Sequence, residues 1–270
     1  RSSYYRREIT WDVFNEKANR FANLLLTSGI GKGDKVGILL MNCLEWLPIY
    51  FGILKTGALA VPLNFRYTAD EIDYCMHLAE ADALVFGPEF IGRVEELAPT
   101  LAQSCPLFYV GSTCPTFAES YPLLCAQAAS TDPMIPVSEQ DDAAIYFSSG
   151  TTGFPKAILH NHESLSHAAV VEQRHHGQTR EDVFLCIPPL YHTGAKMHWF
   201  GSFLVGGKAG LLKLCDKVLG QAMDWTRHFH TFPDEQDQKR AHPWSMLEPR
   251  LKATQDPWSE AWQIHQRTHV

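Results

Sequence analysis

The sequence predicts an α/β protein with mixed, largely parallel sheets flanked by helices. Three observations lead there. Apolar runs of four to six residues recur along residues 36–147. Segments with apolar side chains at helical spacing lie between them, and clusters of Gly, Asp, Asn or Pro separate the two kinds. Strands that alternate with helices imply βαβ units, and so a sheet whose strands are mostly parallel.

In chain order, the first helix covers about residues 11–28: Phe14, Ala18, Phe21 and Leu25 share one face, and Gly29 supplies a stop. A Gly- and Asp-rich turn at 31–34 leads into the apolar run 36–41, suited to a strand buried on both faces. A second helix covers about 44–56, where Pro48 is tolerated only in the opening turn. A short strand follows at about 59–62. Thr68 and Glu71 have the spacing of a capping box, which opens a helix reaching about Ala79. Strand 83–86, helix 90–102 and strand 107–110 continue the rhythm. From 111 to 140 it fades into Ser, Thr, Pro and Ala, read as a surface connection with one short helix near 123–129. Strands return at 143–147 and 157–160. A helix at about 163–174, a strand at 183–187, a helix at 195–204 and a strand at 209–212 follow.

Composition bounds the function. Of 270 residues, 45% are hydrophobic and 20% charged, enough apolar material for a sizeable core. A formal net charge of −7 without a Lys/Arg stripe repels a polyanion, so nucleic acid is not an expected partner. No apolar run approaches the roughly 18 residues a membrane-crossing helix needs, and no transmembrane segment is expected. The seven cysteines are odd in number and lack a Cys-x-x-Cys pair. They fit structural thiols in a reducing compartment, and a cytoplasmic location is expected. The chain begins with Arg1 rather than Met, so the native start is expected to be missing. Oligomeric state is not legible.

The sharpest local signal is Ser148-Ser149-Gly150-Thr151-Thr152-Gly153-Phe154-Pro155-Lys156, between two strand-like segments. Such a loop can turn backbone N–H groups and hydroxyls toward one anion, and glycine removes the Cβ that would block its approach. Lys156 adds a point charge suited to phosphate oxygens. By composition alone a flexible Ser/Thr/Gly turn fits equally well. The run is neither a Walker A loop nor a nucleophile elbow, because the required Gly-Lys-Ser/Thr and Gly-x-Ser-x-Gly orders are absent from it.

Residues 148–156 resemble the phosphate-binding signature of the adenylate-forming superfamily, which includes acyl-CoA synthetases, luciferases and nonribosomal peptide adenylation domains. Ala157 stands where that signature usually has glycine. Pro188-Pro189-Leu190-Tyr191-His192-Thr193-Gly194 resembles a second motif of the family. Asn42-Cys43-Leu44-Glu45-Trp46 and the run 52–64 resemble the amino-terminal region of acyl-CoA ligases. The likeness covers about residues 7–213 in matching order.

The resemblance implies an ATP-dependent acid–thiol ligase acting on a small-molecule carboxylic acid, ATP and coenzyme A. It places Ser148, Ser149, Gly150, Thr151, Thr152, Gly153 and Lys156 on the β- and γ-phosphates, with Mg²⁺ arriving on ATP. It puts His192 beside the reacting carboxylate and α-phosphate; a histidine capping the turn after strand 183–187 is the plainer alternative. Gly194, Ala195, Met197 and Trp199 are candidates for lining an acyl tunnel, and one-sided core packing predicts the same residues. His160, His162, His167, His175 and His176 do not complete a closed four-ligand metal set by spacing, and the metal ligands stay unknown.

Residues 1–215 are therefore expected to form part of an adenylate-forming large domain. Residues 216–270 form an atypical tail in which only eight of 55 residues are Leu, Ile, Val or Phe. The family's adenine-stacking segment, ribose-binding aspartate, hinge and lid find no counterpart there, and a truncated or frame-shifted product is the expectation. Two classes stay open: an acyl-CoA ligase given as an incomplete chain, and a non-catalytic remnant or nucleotide-binding module. A peptide-synthetase adenylation domain is a third, weaker option.

Overall fold

A computed structural model describes residues 8–102, 105–148, 155–186 and 188–211, with the side chains of 185 and 194–198 outside that set. The predicted tail 216–270 also lies outside the described residues.

Helix α1 (Trp11–Thr27) starts at Thr10, whose hydroxyl oxygen accepts from the Val13 N–H at 3.3 Å. It stops before Gly29, which takes φ +81°, a left-handed conformation that costs glycine no Cβ clash. β1 (Lys35–Leu39) leads to α2 (Trp46–Lys55), where Pro48 sits in the first turn and loses no helical hydrogen bond. After β2 (Leu59–Pro62), α3 (Ala69–Leu78) opens with the reciprocal Thr68–Glu71 capping box that the spacing predicts. β3 (Ala83–Phe86), α4 (Ile91–Leu101) and β4 (Leu107–Tyr109) follow.

The connection after β4 holds more order than its composition announces. A two-residue β5 (Glu119–Ser120) and α5 (Tyr121–Gln127) are seated in it. Beyond them the polar face of α1 fixes the backbone. Asn19 donates to the Ser130 carbonyl at 2.9 Å, Arg20 to Ala128 at 2.7 Å, and Asn23 to Ala129 and Thr131 at 2.9 and 2.8 Å. The remaining elements are β6 (Asp142–Ser148), β7 (Lys156–Asn161), α6 (His162–His176), β8 (Val183–Cys186), α7 (Thr193–Val205) and β9 (Lys208–Leu211).

Seven strands form one sheet in the order β5-β4-β3-β1-β2-β6-β7. All neighbours are parallel except β6 and β7, which pair antiparallel with Ser148 opposite Lys156. β8 and β9 pair parallel in a second sheet. The order reverses at β1: β2 lies on one side of it and β3 on the other. Right-handed crossovers in opposite directions must run over opposite faces. Accordingly α2, which joins β1 to β2, covers one face, while α3 and α4 cover the other.

Alternation along the strands feeds both layers. Val36, Ile38, Ala83 and Val85 face Phe21, Leu25, Ile49, Tyr50 and Ile53 of α1 and α2. Leu39, Leu84 and Phe86 face Ile72, Cys75, Met76 and Val94 of α3 and α4. Burial on both sides explains why these strands read as continuous apolar runs rather than alternating ones.

The α1–α2 crossing depends on Gly52. A Cβ there would lie 2.9 Å from the Ala18 carbonyl oxygen and 3.0 Å from the Phe21 ring, and backbone cannot yield as a flexible side-chain tip can. Gly52→Ala is expected to cost about 1–3 kcal/mol despite the better helix propensity of alanine. A urea midpoint equal to or above wild type would show that the two helices have room to separate.

Candidate active site

β1, β2 and β6 are adjacent and parallel, so their carboxyl ends open on one edge of the sheet. Open α/β sheets bind ligands outside the carboxyl ends of their strands. Segments 40–45 after β1 and 63–67 after β2 leave this edge, the first holding most of the 42–46 run singled out in the sequence. β6 ends there at Ser148, the first residue of the 148–156 run.

Ser148 is the last residue of β6 and Lys156 the first of β7, paired across the antiparallel ladder. Backbone pairing thus fixes the two ends of the hydroxyl- and glycine-rich run, Ser148 and Lys156, opposite each other. Ser148 is half-buried and the Lys156 side chain is exposed. Ser149, Gly150, Thr151, Thr152 and Gly153 lie outside the described residues. The chemistry of the two described residues, a hydroxyl and an ammonium, fits an anionic oxygen ligand.

His192 occupies the N-cap position of α7, with an exposed ring that makes no capping hydrogen bond to the helix. Its N–H donates to the Pro189 carbonyl at 3.1 Å, closing a turn. The Tyr191 ring stands 4.4 Å from the His192 ring and meets Phe65, from the β2 exit, edge-on at 5.5 Å. Burial raises the Tyr191 phenol above its ordinary range, against the opposing charge of Arg66, so the phenol stays neutral at physiological pH. Arg93 of α4 holds the same exit by donating to the Phe65 and Tyr67 carbonyls at 2.8 and 2.9 Å.

Two contributors went unassigned in the sequence. Asn42 donates from its side-chain amide to the Pro188 carbonyl at 3.0 Å and accepts from the Leu190 N–H at 2.9 Å, tying the histidine-bearing turn to the β1 exit. Arg93 is the other. Both are paired across long sequence separations, and no local pattern announces such partners.

At the β1/β3 boundary, where strand order reverses, lies a second crevice of about 160 Å³, lined by Leu40, Met41, Cys43, Glu45, Gly87, Pro88, Glu89 and Val110. Glu45 and Glu89 make it unsuited to a phosphate, in contrast to the β6–β7 hairpin.

Trp199 belongs to the buried core cluster, whereas the side chains of Gly194, Ala195 and Met197 lie outside the described residues. The histidines singled out above are spread over two elements. His160 meets the Tyr146 ring at 5.4 Å, and His176 pairs with Glu172 at 3.1 Å within α6. Among the described residues no group of three or more His, Cys, Asp or Glu is placed to hold a metal ion. No described helix is long and apolar enough to cross a membrane.

The six described cysteines are free thiols. Burial, with Glu45 and Glu89 adding to it at Cys43, pushes Cys43, Cys75, Cys105 and Cys125 up to about 12. A thiol reacts as its thiolate. Cys75, Cys105 and Cys125, which are buried, are expected to stay unmodified by an aromatic disulfide reagent at pH 8 until urea unfolds the chain; rapid native-state labelling of any of these three, located by peptide mass, would contradict their burial.

A seven-stranded, mostly parallel sheet flanked by helices, with Ser148 opposite Lys156 and a histidine turn tied to its carboxyl edge, defines a mixed α/β fold. The chain belongs to the family of AMP-binding enzymes, which it matches over residues 2–228. Its relatives are acyl-CoA ligases. It is 32% identical over 192 residues to crotonobetaine/carnitine–CoA ligase of Citrobacter koseri, covering 69% of this chain and 37% of that protein. It is 31% identical over 196 residues to long-chain-fatty-acid–CoA ligase FadD13 of Mycobacterium tuberculosis, covering 69% and 36%. Among solved structures it resembles the anthranilate CoA ligase AuaEII in complex with anthranoyl-AMP, with TM-score 0.76 and 25% identity over 81% of this chain and 42% of that one. It also resembles the inhibitor-bound N-terminal domain of FACL13 from M. tuberculosis, with TM-score 0.69 and 27% identity over 77% and 51%. The match thus spans a little over a third of the length of the curated relatives.

Proposed function

We propose that this chain contributes the triphosphate-binding part of an ATP-dependent acid–thiol ligase. The observation that carries the reading is the shared edge: Ser148 ends β6 opposite Lys156, and the His192 turn, which follows β8 of the second sheet, is tied by Asn42 to the carboxyl end of β1 in the same seven-stranded sheet. In the reaction, a carboxylate oxygen attacks the α-phosphorus of ATP, the bond to pyrophosphate breaks, and pyrophosphate leaves. The sulfur of coenzyme A then attacks the acyl carbon and AMP leaves. Such chemistry depends on positioning and on neutralising charge rather than on a protein nucleophile.

In this reading Ser148, Ser149, Gly150, Thr151, Thr152, Gly153 and Lys156 hold the β- and γ-phosphates, and His192 stands beside the carboxylate and α-phosphate. Mg²⁺ arrives with ATP and supplies further neutralisation of the phosphate charge. The substrate acid is a small-molecule carboxylic acid, and the free, unpaired thiols support a reducing, cytoplasmic setting.

The test is carboxylate-dependent ATP–pyrophosphate exchange by the 270-residue chain across a panel of fatty, short and aryl acids. Exchange with a preferred acid is expected, and that acid names the substrate class. A folded chain that binds ATP without exchange would instead support the second reading, a nucleotide-binding module without ligase activity of its own. That reading draws on the short span of the match to the curated relatives.

A further inference from the structure

We propose that Asn42 is the residue that positions His192. Asn42 is buried at 4% exposure three residues beyond the end of β1, and its amide makes two bonds of opposite sense to one short stretch 146 to 148 residues away. The amide nitrogen donates to Pro188 and the amide oxygen accepts from Leu190. The reverse orientation would set oxygen against oxygen and N–H against N–H, so the partners themselves fix which way the amide points.

The sequence leaves this stretch few other means of attachment. Pro188 and Pro189 have no N–H, and Leu190 supplies the first donor, itself fully buried. The turn then continues from the Pro189 carbonyl to the His192 N–H at 3.1 Å. Two hydrogen bonds thus tie residues 188–190 to the β1 exit, a third closes the turn from Pro189 to His192, and the Phe65–Tyr191 ring contact braces it from the β2 exit. A planar amide offers a donor and an acceptor side by side at any pH, which a carboxyl group does only while protonated. An ionised aspartate of equal size keeps the acceptor for Leu190 but turns a carboxylate oxygen toward the Pro188 carbonyl, so the Asn42→Asp variant is read at a pH where that carboxyl is ionised.

The effect on rate rests on the proposed role of His192; the effect on its position does not. The experiment therefore reads both in the 270-residue chain. Ring resonances of ¹³C-labelled histidine are recorded for wild type, Asn42→Ala and Asn42→Asp, with the His192 signal assigned by His192→Asn. Ile72→Ala, in the core layer on the other face of the sheet, serves as a destabilised control. The His192 resonance is expected to shift or broaden in both Asn42 variants and to hold in Ile72→Ala. Exchange is expected to fall about 100-fold in kcat in the Asn42 variants, the scale for a reacting group displaced by about 1 Å, with KM for ATP unchanged. A His192 resonance that stays in place in either folded Asn42 variant overturns the proposal. Should Asn42→Ala fail to fold, the isosteric Asn42→Asp decides alone. If His192→Asn exchanges at the wild-type rate while the Asn42 variants still move the ring, the role of His192 falls and the positioning stands.

Discussion

Replacing Lys156 with alanine is expected to lower carboxylate-dependent ATP–pyrophosphate exchange by about 100- to 1000-fold, the scale seen when one preorganised charge-stabilising donor is removed. The reason is placement. Lys156 opens β7 opposite Ser148, so its Cα is held by the strand ladder while its side chain reaches out exposed from the mouth of the loop. An ammonium so anchored meets a phosphate with little chain ordering left to do. Because the ladder uses backbone groups only, the thermal midpoint should be unchanged. Lys156→Arg should restore part of the rate, since charge is kept while the planar fork replaces a compact point charge. Wild-type exchange by the alanine variant would take the hairpin out of the site.

Phe21→Ala is expected to destabilise the fold by about 3–5 kcal/mol, the range for emptying a buried aromatic site. Phe21 has no exposure, meets Tyr121 at 5.3 Å and Phe108 edge-on at 6.1 Å, and lies where α2 comes closest at Gly52. One residue thus joins α1, α2, α5 and β4. Backbone contacts on several sides limit how far the site can collapse, which places the cost high in the range. For a domain of about this size, a loss of that magnitude lowers the thermal midpoint by roughly 10 °C. A fall of only a degree or two in calorimetry would mean that the cavity fills by relaxation.

Much of the fold was legible because its cues are local. The strands at 59–62 and 83–86 coincide with their apolar runs, and the Thr68–Glu71 box marks the start of α3. β1 ends at Leu39 rather than at Met41. Its last apolar residues continue past the ladder to line the 160 Å³ crevice, and hydrophobicity alone does not tell a paired residue from a cavity wall. β5 was missed because a two-residue edge strand has no periodicity to read. The short helix expected near 123–129 is α5, but the order of 128–131 was missed for a related reason: it comes from α1 side chains more than 100 residues earlier in the chain.

The site divides along the same line. Residues 148–156 and the His192 turn stood out as motifs, because their hydroxyls, glycines, lysine and histidine lie close together along the chain. That β6 and β7 close the loop as an antiparallel hairpin on an otherwise parallel sheet is a matter of pairing, which no window of residues contains. By itself the sequence determined the α/β class, the helix starts and stops, and the family, since these rest on spacing between neighbours. Only the tertiary structure decided the strand order, the shared carboxyl edge and the Asn42 clasp. Each of those joins residues far apart in the chain, and the burial that makes such contacts favourable exists only once the layers have come together.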